Sequence, residues 1–200
     1  CEETTLTIVG SSLKGDLTLP SGVKLVDIVE RGEGRVVVKA IADGKATGLH
    51  DVAVGEAKGG QLAVYQQIDR IQVVPEQSFA RIGDNGGKTP TVEARFEAEA
   101  YAKGPHGEFR IGMVPAKWSV QPYDEVAAED KDEVFAGVMD AATGVFSPAG
   151  AGPNPERRQS TNNAGKLKVI AEVAGAGGQA LTADAELLVT MQRWNNPPIP

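Results

Sequence analysis

The chain has one cysteine, at position 1, two widely separated histidines (His50 and His106), and aromatics at only 5% of its 200 residues. Each scarcity excludes chemistry. A lone thiol rules out an internal disulfide, a CxxC redox pair, a CxxCH haem attachment and a four-ligand cysteine zinc site. No stretch approaches the run of about 20 apolar residues that a membrane-spanning helix needs, and no signal peptide is visible. A net charge of −7 disfavours nucleic acid or an anionic membrane face as partner and fits a soluble protein with a solvated acidic surface. Cys1 has two readings: the lipidated first residue of a mature lipoprotein, or ordinary sequence at an edge. Strand-like sequence begins almost at once, at Thr4-Thr5-Leu6-Thr7-Ile8-Val9, so the chain reads as cut from a longer one.

Glycine (24) and proline (12) are plentiful instead. That balance favours many turns and short strands. From Leu181 to Met191 every odd position is apolar and the even positions are polar except Leu188, the period of a strand with one buried face. Leu167–Val173 alternates likewise, and Ala174-Gly175-Ala176-Gly177-Gly178-Gln179 joins the two runs into a predicted antiparallel hairpin. Ala94, Phe96, Ala98, Ala100 and Ala102 interleave with polar residues; the alternation outweighs the helical propensity of alanine. Ile111 and Met113 hold one phase and Ala116, Trp118 and Val120 the other, which predicts a bulge or edge position at Pro115.

The first third predicts strands at about 6–9, 23–29, 35–41, 51–54, 62–65 and 68–74. Turns fall at Pro20-Ser21-Gly22, Arg31–Gly34, Asp43-Gly44 and Lys58-Gly59-Gly60. Residues 75–90 lack periodicity, and the domain boundary is placed there. The expected fold is therefore all-β, two tandem immunoglobulin-like β-sandwich domains, 1–75 and 76–200. The second holds two long irregular stretches: an acidic run (Asp124, Glu125, Glu129, Asp130, Asp132, Glu133) and Ser147–Arg158 continuing through Asn162–Gly165.

Several motifs invite chemistry and fail on context. Gly175–Ala180 matches GxGxxA, but a dinucleotide fingerprint needs a following helix and a second parallel strand, and a period-2 strand follows instead. The acidic run lacks EF-hand spacing and carries Lys131 in its middle, so it reads as a solvated loop or short surface helix. His50-Asp51 would point to opposite faces of a strand, and no GxSxG serine accompanies it. His106 reads as a hairpin-turn residue and Trp118 as core. No catalytic, cofactor-binding or metal-binding residue is assigned. The candidate partner contacts are Asn154, Arg157 and Arg158, in a proline-stiffened loop, and Trp194, where the last strand gives way to Asn195-Asn196-Pro197-Pro198.

Phe135-Ala136-Gly137, Thr143–Ala149, Gly152-Pro153-Asn154-Pro155-Glu156-Arg157, Asn162-Asn163-Ala164-Gly165 and Leu188-Val189-Thr190 together resemble one known pattern. It is the C-terminal immunoglobulin-like domain of the α subunit of quinohaemoprotein amine dehydrogenases. Ala80–Gly83, Gly104–Gly107 and Ala116–Val120 fit it as well. Thr5–Leu13 and Gly48–Val54 make the first domain similar to the preceding domain of that subunit, and also to IPT/TIG-type domains. The resemblance implies a periplasmic multi-subunit enzyme oxidising primary amines, with haem c in another domain of the α subunit and a tryptophan-derived quinone in a small subunit. It implies a structural role for these two domains, with the other domains and subunits of the complex as partners, and it carries over no catalytic residue. The rival expectation is a surface-anchored immunoglobulin-like module binding a protein or glycan.

Overall fold

The computed structural model describes residues 2–83, 90–157 and 162–191. Its chain forms two compact units, Cys1–Asp69 with Tyr101–Gly112, and Arg70–Ala100 with Met113–Pro200. The fold is all-β, as the alternation predicts, with sheets paired into sandwiches.

The first unit contains β1 (Glu3–Val9), β2 (Leu17–Thr18), β3 (Val23–Arg31), β4 (Arg35–Ala42), β5 (Gly48–Val54) and β6 (Ala57–Val64). Two three-stranded sheets, ordered β1-β4-β3 and β2-β5-β6, face each other. Val36 and Val38 of β4, Val54 of β5 and Leu13 meet in a core, with Leu6, Ile8, Leu17 and Ala57 partly covered around it. Lys58-Gly59-Gly60, predicted as a turn, lies inside β6, where Gly60 pairs with Val52. The turn sits at Gly55-Glu56 instead. Gly55 holds φ +58°, and a methyl group there would collide with the carbonyl oxygen of Lys14, so glycine is required on two counts.

The second unit holds β7 (Arg70–Val74), β8 (Gln77–Ile82), β9 (Ala94–Arg95), β10 (Glu97–Gly104) as far as Ala100, the end of β11 (Gly107–Val114) from Met113, and β12 (Lys117–Pro122). Two short helices follow, α1 (Glu125–Glu129) and α2 (Asp132–Phe135), then β13 (Gly137–Met139), β14 (Val145–Pro148), β15 (Gly165–Ala174) and β16 (Ala180–Met191). The main sheet runs β12-β15-β16-β8 and a smaller one β13-β14-β9; β7, β10 and β11 form a further sheet. The predicted hairpin is β15–β16, with Ala174 opposite Ala180. Residues 75–83, read as aperiodic, contain β8, which pairs in parallel with β16. The phase change at Pro115 is not a bulge: β11 ends before it and β12 begins after it in a different sheet.

The buried positions of β10 and its approach follow the alternation, with Ala94, Phe96, Ala98, Ala100 and Ala102 all nearly inaccessible. Phe96, Phe146, Leu167 and Leu187 are among the largest fully buried side chains. Trp118 is core, as expected, its ring 6.5 Å from that of Phe96. Burying each such side chain contributes about 1.5–3 kcal/mol.

Candidate functional site

The acidic run and the proline-rich loop, separate in sequence, form one cluster in the second unit. Asp124 starts it: its carboxylate accepts from the Ala127 N–H at 2.9 Å, capping α1. Lys131 then turns the chain with φ 52°, ψ 45°, a left-handed conformation that disfavours most side chains by roughly 1 kcal/mol. The turn delivers Asp132 inward, and only 3% of its side chain is accessible. The sequence reading placed the whole run in solvent; Asp132 departs from it.

Asp132 is met on both oxygens. Arg157 Nη2 donates to Oδ1 at 2.9 Å and the backbone N–H of Lys166 donates to Oδ2 at 2.8 Å. Arg157 Nε lies 3.1 Å from Asp130 Oδ2, close enough to pair its charge but not well directed for a hydrogen bond. Burial pushes the Asp132 carboxyl above its ordinary value, and the Lys166 N–H and the Arg157 charge pull it back only in part. Charge-assisted bonds in so dry a setting fix geometry more than they add net stability.

Asn154 locks the loop from the other side. Its Nδ2 donates to the Asp130 carbonyl at 2.9 Å, and its Oδ1 accepts from the Glu156 N–H at 3.0 Å. At the rim Lys131 Nζ reaches Glu156 Oε1 at 2.9 Å. Farther along, Asn162 Oδ1 accepts from the Ala164 N–H, and Asn163 Nδ2 donates to the Gly150 carbonyl, each at 3.0 Å. Gly165 completes the arrangement: a Cβ there would stand 2.7 Å from Asp132 Cγ. The Gly-Pro-Asn-Pro-Glu-Arg and Asn-Asn-Ala-Gly segments thus surround one buried carboxylate.

Of the four candidate contact residues, Asn154 is buried and Arg157 is 16% exposed at its side chain. Both commit their polar groups within the unit. Arg158 and Trp194 lie outside the described residues. Sequence reasoning missed Asp132 and Asp130 as their partners; the one signal was a cation among prolines near an acidic run interrupted by lysine. Elsewhere, His50 Nε2 donates to the Ala46 carbonyl at 2.6 Å, a local tie and no part of a triad. Among the described residues no group of three His, Cys, Asp or Glu side chains could hold a metal ion, and no helix is long and apolar enough to cross a membrane.

Residues 71–199 match the family model described as quinohemoprotein amine dehydrogenase, alpha subunit domain IV, and residues 1–66 match that of domain III of the same subunit. No curated protein matches the sequence. Among solved structures, mouse clustered PcdhgC3 EC1-3 is 14% identical with TM-score 0.40, over 89% of this chain and 55% of that one. A protocadherin gammaB7 EC3-6 cis-dimer structure is 14% identical with TM-score 0.41, over 94% and 41%. The chain spans about half the length of the solved structures it matches. Haem c, implied by the family resemblance, does not fit the residues here: covalent attachment through CxxCH needs two cysteines and the sequence has one, and His50 Nε2 is spent on a carbonyl.

Proposed function

The chain belongs to the quinohemoprotein amine dehydrogenase alpha subunit family, spanning its domains III and IV, and on that premise we propose that it is a structural, non-catalytic part of such a subunit. Its two sandwiches, taken as 1–75 and 76–200, hold other domains and subunits of a periplasmic complex in register. That complex carries out oxidative deamination of primary amines at haem and quinone centres lying outside this chain. The loop around Pro153–Arg158, with Trp194, supplies the contact surface.

The observation that carries this reading is the locked loop. Asn154 and Arg157 hold the Pro153–Arg157 backbone from inside, through the Asp130 carbonyl and the Asp132 carboxylate. A loop so held keeps a fixed outer surface and loses little freedom on binding. Arg158 and Trp194 are the residue types most enriched at binding hot spots.

The test is association of the chain with the remaining subunits, followed by sedimentation velocity. Arg158→Glu combined with Trp194→Ala is expected to weaken association at least tenfold while the thermal midpoint of the chain alone stays within a degree or two. Unchanged association would refute the assigned surface.

A further inference from the structure

We propose that the first unit carries a docking groove for one extended strand supplied by another polypeptide, along the seam between β1 and β6. Both strands are sheet edges: among the described residues β1 pairs only with β4, and β6 only with β5. A sheet edge leaves a row of backbone N–H and C=O groups ready to pair with an incoming chain. Between the two edges runs an apolar groove in two halves, of about 610 and 540 Å³, that share Leu6 and Leu62.

The core beneath is unfinished. Val36, Val38 and Val54 are sealed, whereas Leu6, Ile8 and Ala57, packed on the same cluster, are only partly covered. A strand laid in the seam would cover them and satisfy backbone groups of the bounding edges together, the combination by which strand addition gains affinity and specificity.

Shape and charge together select the occupant. The groove follows the seven residues of β1, about 23 Å at roughly 3.3 Å per residue, a length that suits an extended chain better than a compact small ligand. The charged residues lining it stand at its ends: Glu2 and Asp43 where β1 begins, Lys58 where β1 finishes. The partner strand is therefore uncharged and alternately apolar in its middle, with a basic residue at the Glu2 end and an acidic one at the Lys58 end. This inference rests on the first unit alone and stands or falls apart from the Pro153–Arg158 surface.

The experiment titrates the whole isotope-labelled chain, at low salt, with the synthetic peptide Lys-Thr-Val-Thr-Val-Thr-Val-Thr-Glu, recording amide NMR shifts and hydrogen exchange. Expected are saturable shifts and slowed exchange confined to Thr4–Val9 and Ala57–Val64. Leu62→Thr should weaken binding about tenfold through lost apolar area, and Lys58→Glu about fivefold at low salt through one reversed charge pair. A peptide with lysine at its central valine should not bind. The proposal is overturned if no saturable binding occurs up to millimolar peptide, if shifts fall elsewhere, or if Leu62→Thr has no effect. It is equally overturned if anilinonaphthalene sulfonate occupies the groove and the peptide fails to displace it, or if the chain is a β1-to-β1 dimer that the peptide fails to dissociate. Those last two results would assign the groove to a small apolar ligand or to a second copy of the chain.

Discussion

Replacing Arg157 by alanine removes the charge that faces Asp132 and leaves that carboxylate, 3% accessible, with one remaining donor among the described residues, the Lys166 N–H at 2.8 Å. Breaking a buried pair from one side costs about 3–5 kcal/mol, because the orphaned ion keeps its desolvation penalty. The Lys166 bond survives and Asp130 is partly exposed, which places the loss near the lower end, about 3 kcal/mol. At roughly 4 °C per kcal/mol for a domain of this size, the midpoint of the second unit should fall by about 12 °C at pH 7.5. The deficit should also depend on pH. Burial already raises the Asp132 carboxyl, and loss of Arg157 raises it further, so the folded variant takes up a proton before its unfolded chain does. A raised folded pKa means stability gained as pH falls through it; the variant should recover part of its loss between pH 7.5 and 5. Adding Asp132→Asn should recover stability even at pH 7.5, since no buried charge remains. Urea denaturation at the two pH values measures both effects. A loss under about 0.5 kcal/mol, or a deficit independent of pH, would refute the reasoning.

Gly165→Ala should destabilise the second unit by about 1–3 kcal/mol, the usual range for overpacking, because the added carbon presses on Asp132 Cγ at 2.7 Å; in the Asp132→Ala background the penalty should shrink, as denaturation of the double variant will show. Asp140 accepts from the backbone N–H groups of Ala142 and Thr143 at 2.8 and 3.0 Å, which lower its carboxyl. Its contribution is present above the unfolded pKa and lost as pH falls through the folded one, so Asp140→Asn should flatten the acid side of a stability–pH profile below about pH 4.

Much of the fold was legible because it is written in period 2. Leu181–Met191 and Ala94–Ala102 alternate cleanly, and their inward sides are the buried ones. β8 escaped notice because its inward residues are Ser78, Ala80 and Ile82 while Phe79, its most apolar side chain, is 64% exposed. Two of those three inward side chains carry almost no hydrophobic signal. Lys58-Gly59-Gly60 failed for the opposite reason: a composition typical of turns is held straight by pairing of Gly60 with Val52. The Asp132 cluster could not be seen locally at all. Its partners lie 25 and 34 positions away, so one carboxylate among six looks like its neighbours until the chain is folded.

The parallel pairing of β8 with β16 sets an order of events during synthesis. Thr190 Oγ1 donates to the Ala80 carbonyl across 110 positions of sequence, and among the described residues β8 joins the main sheet only through β16. Contacts of such long sequence separation form late and slowly. At synthesis speeds of roughly 5–20 residues per second, β8 waits about 5–20 s after leaving the ribosome before its neighbour exists. All the strands of the first unit's two main sheets have emerged by Val64, so that sandwich can close during the wait. The β8 edge that awaits β16 is thus a hazard of the nascent chain more than of the finished protein, and a ribosome stalled short of residue 180 would hold it bare.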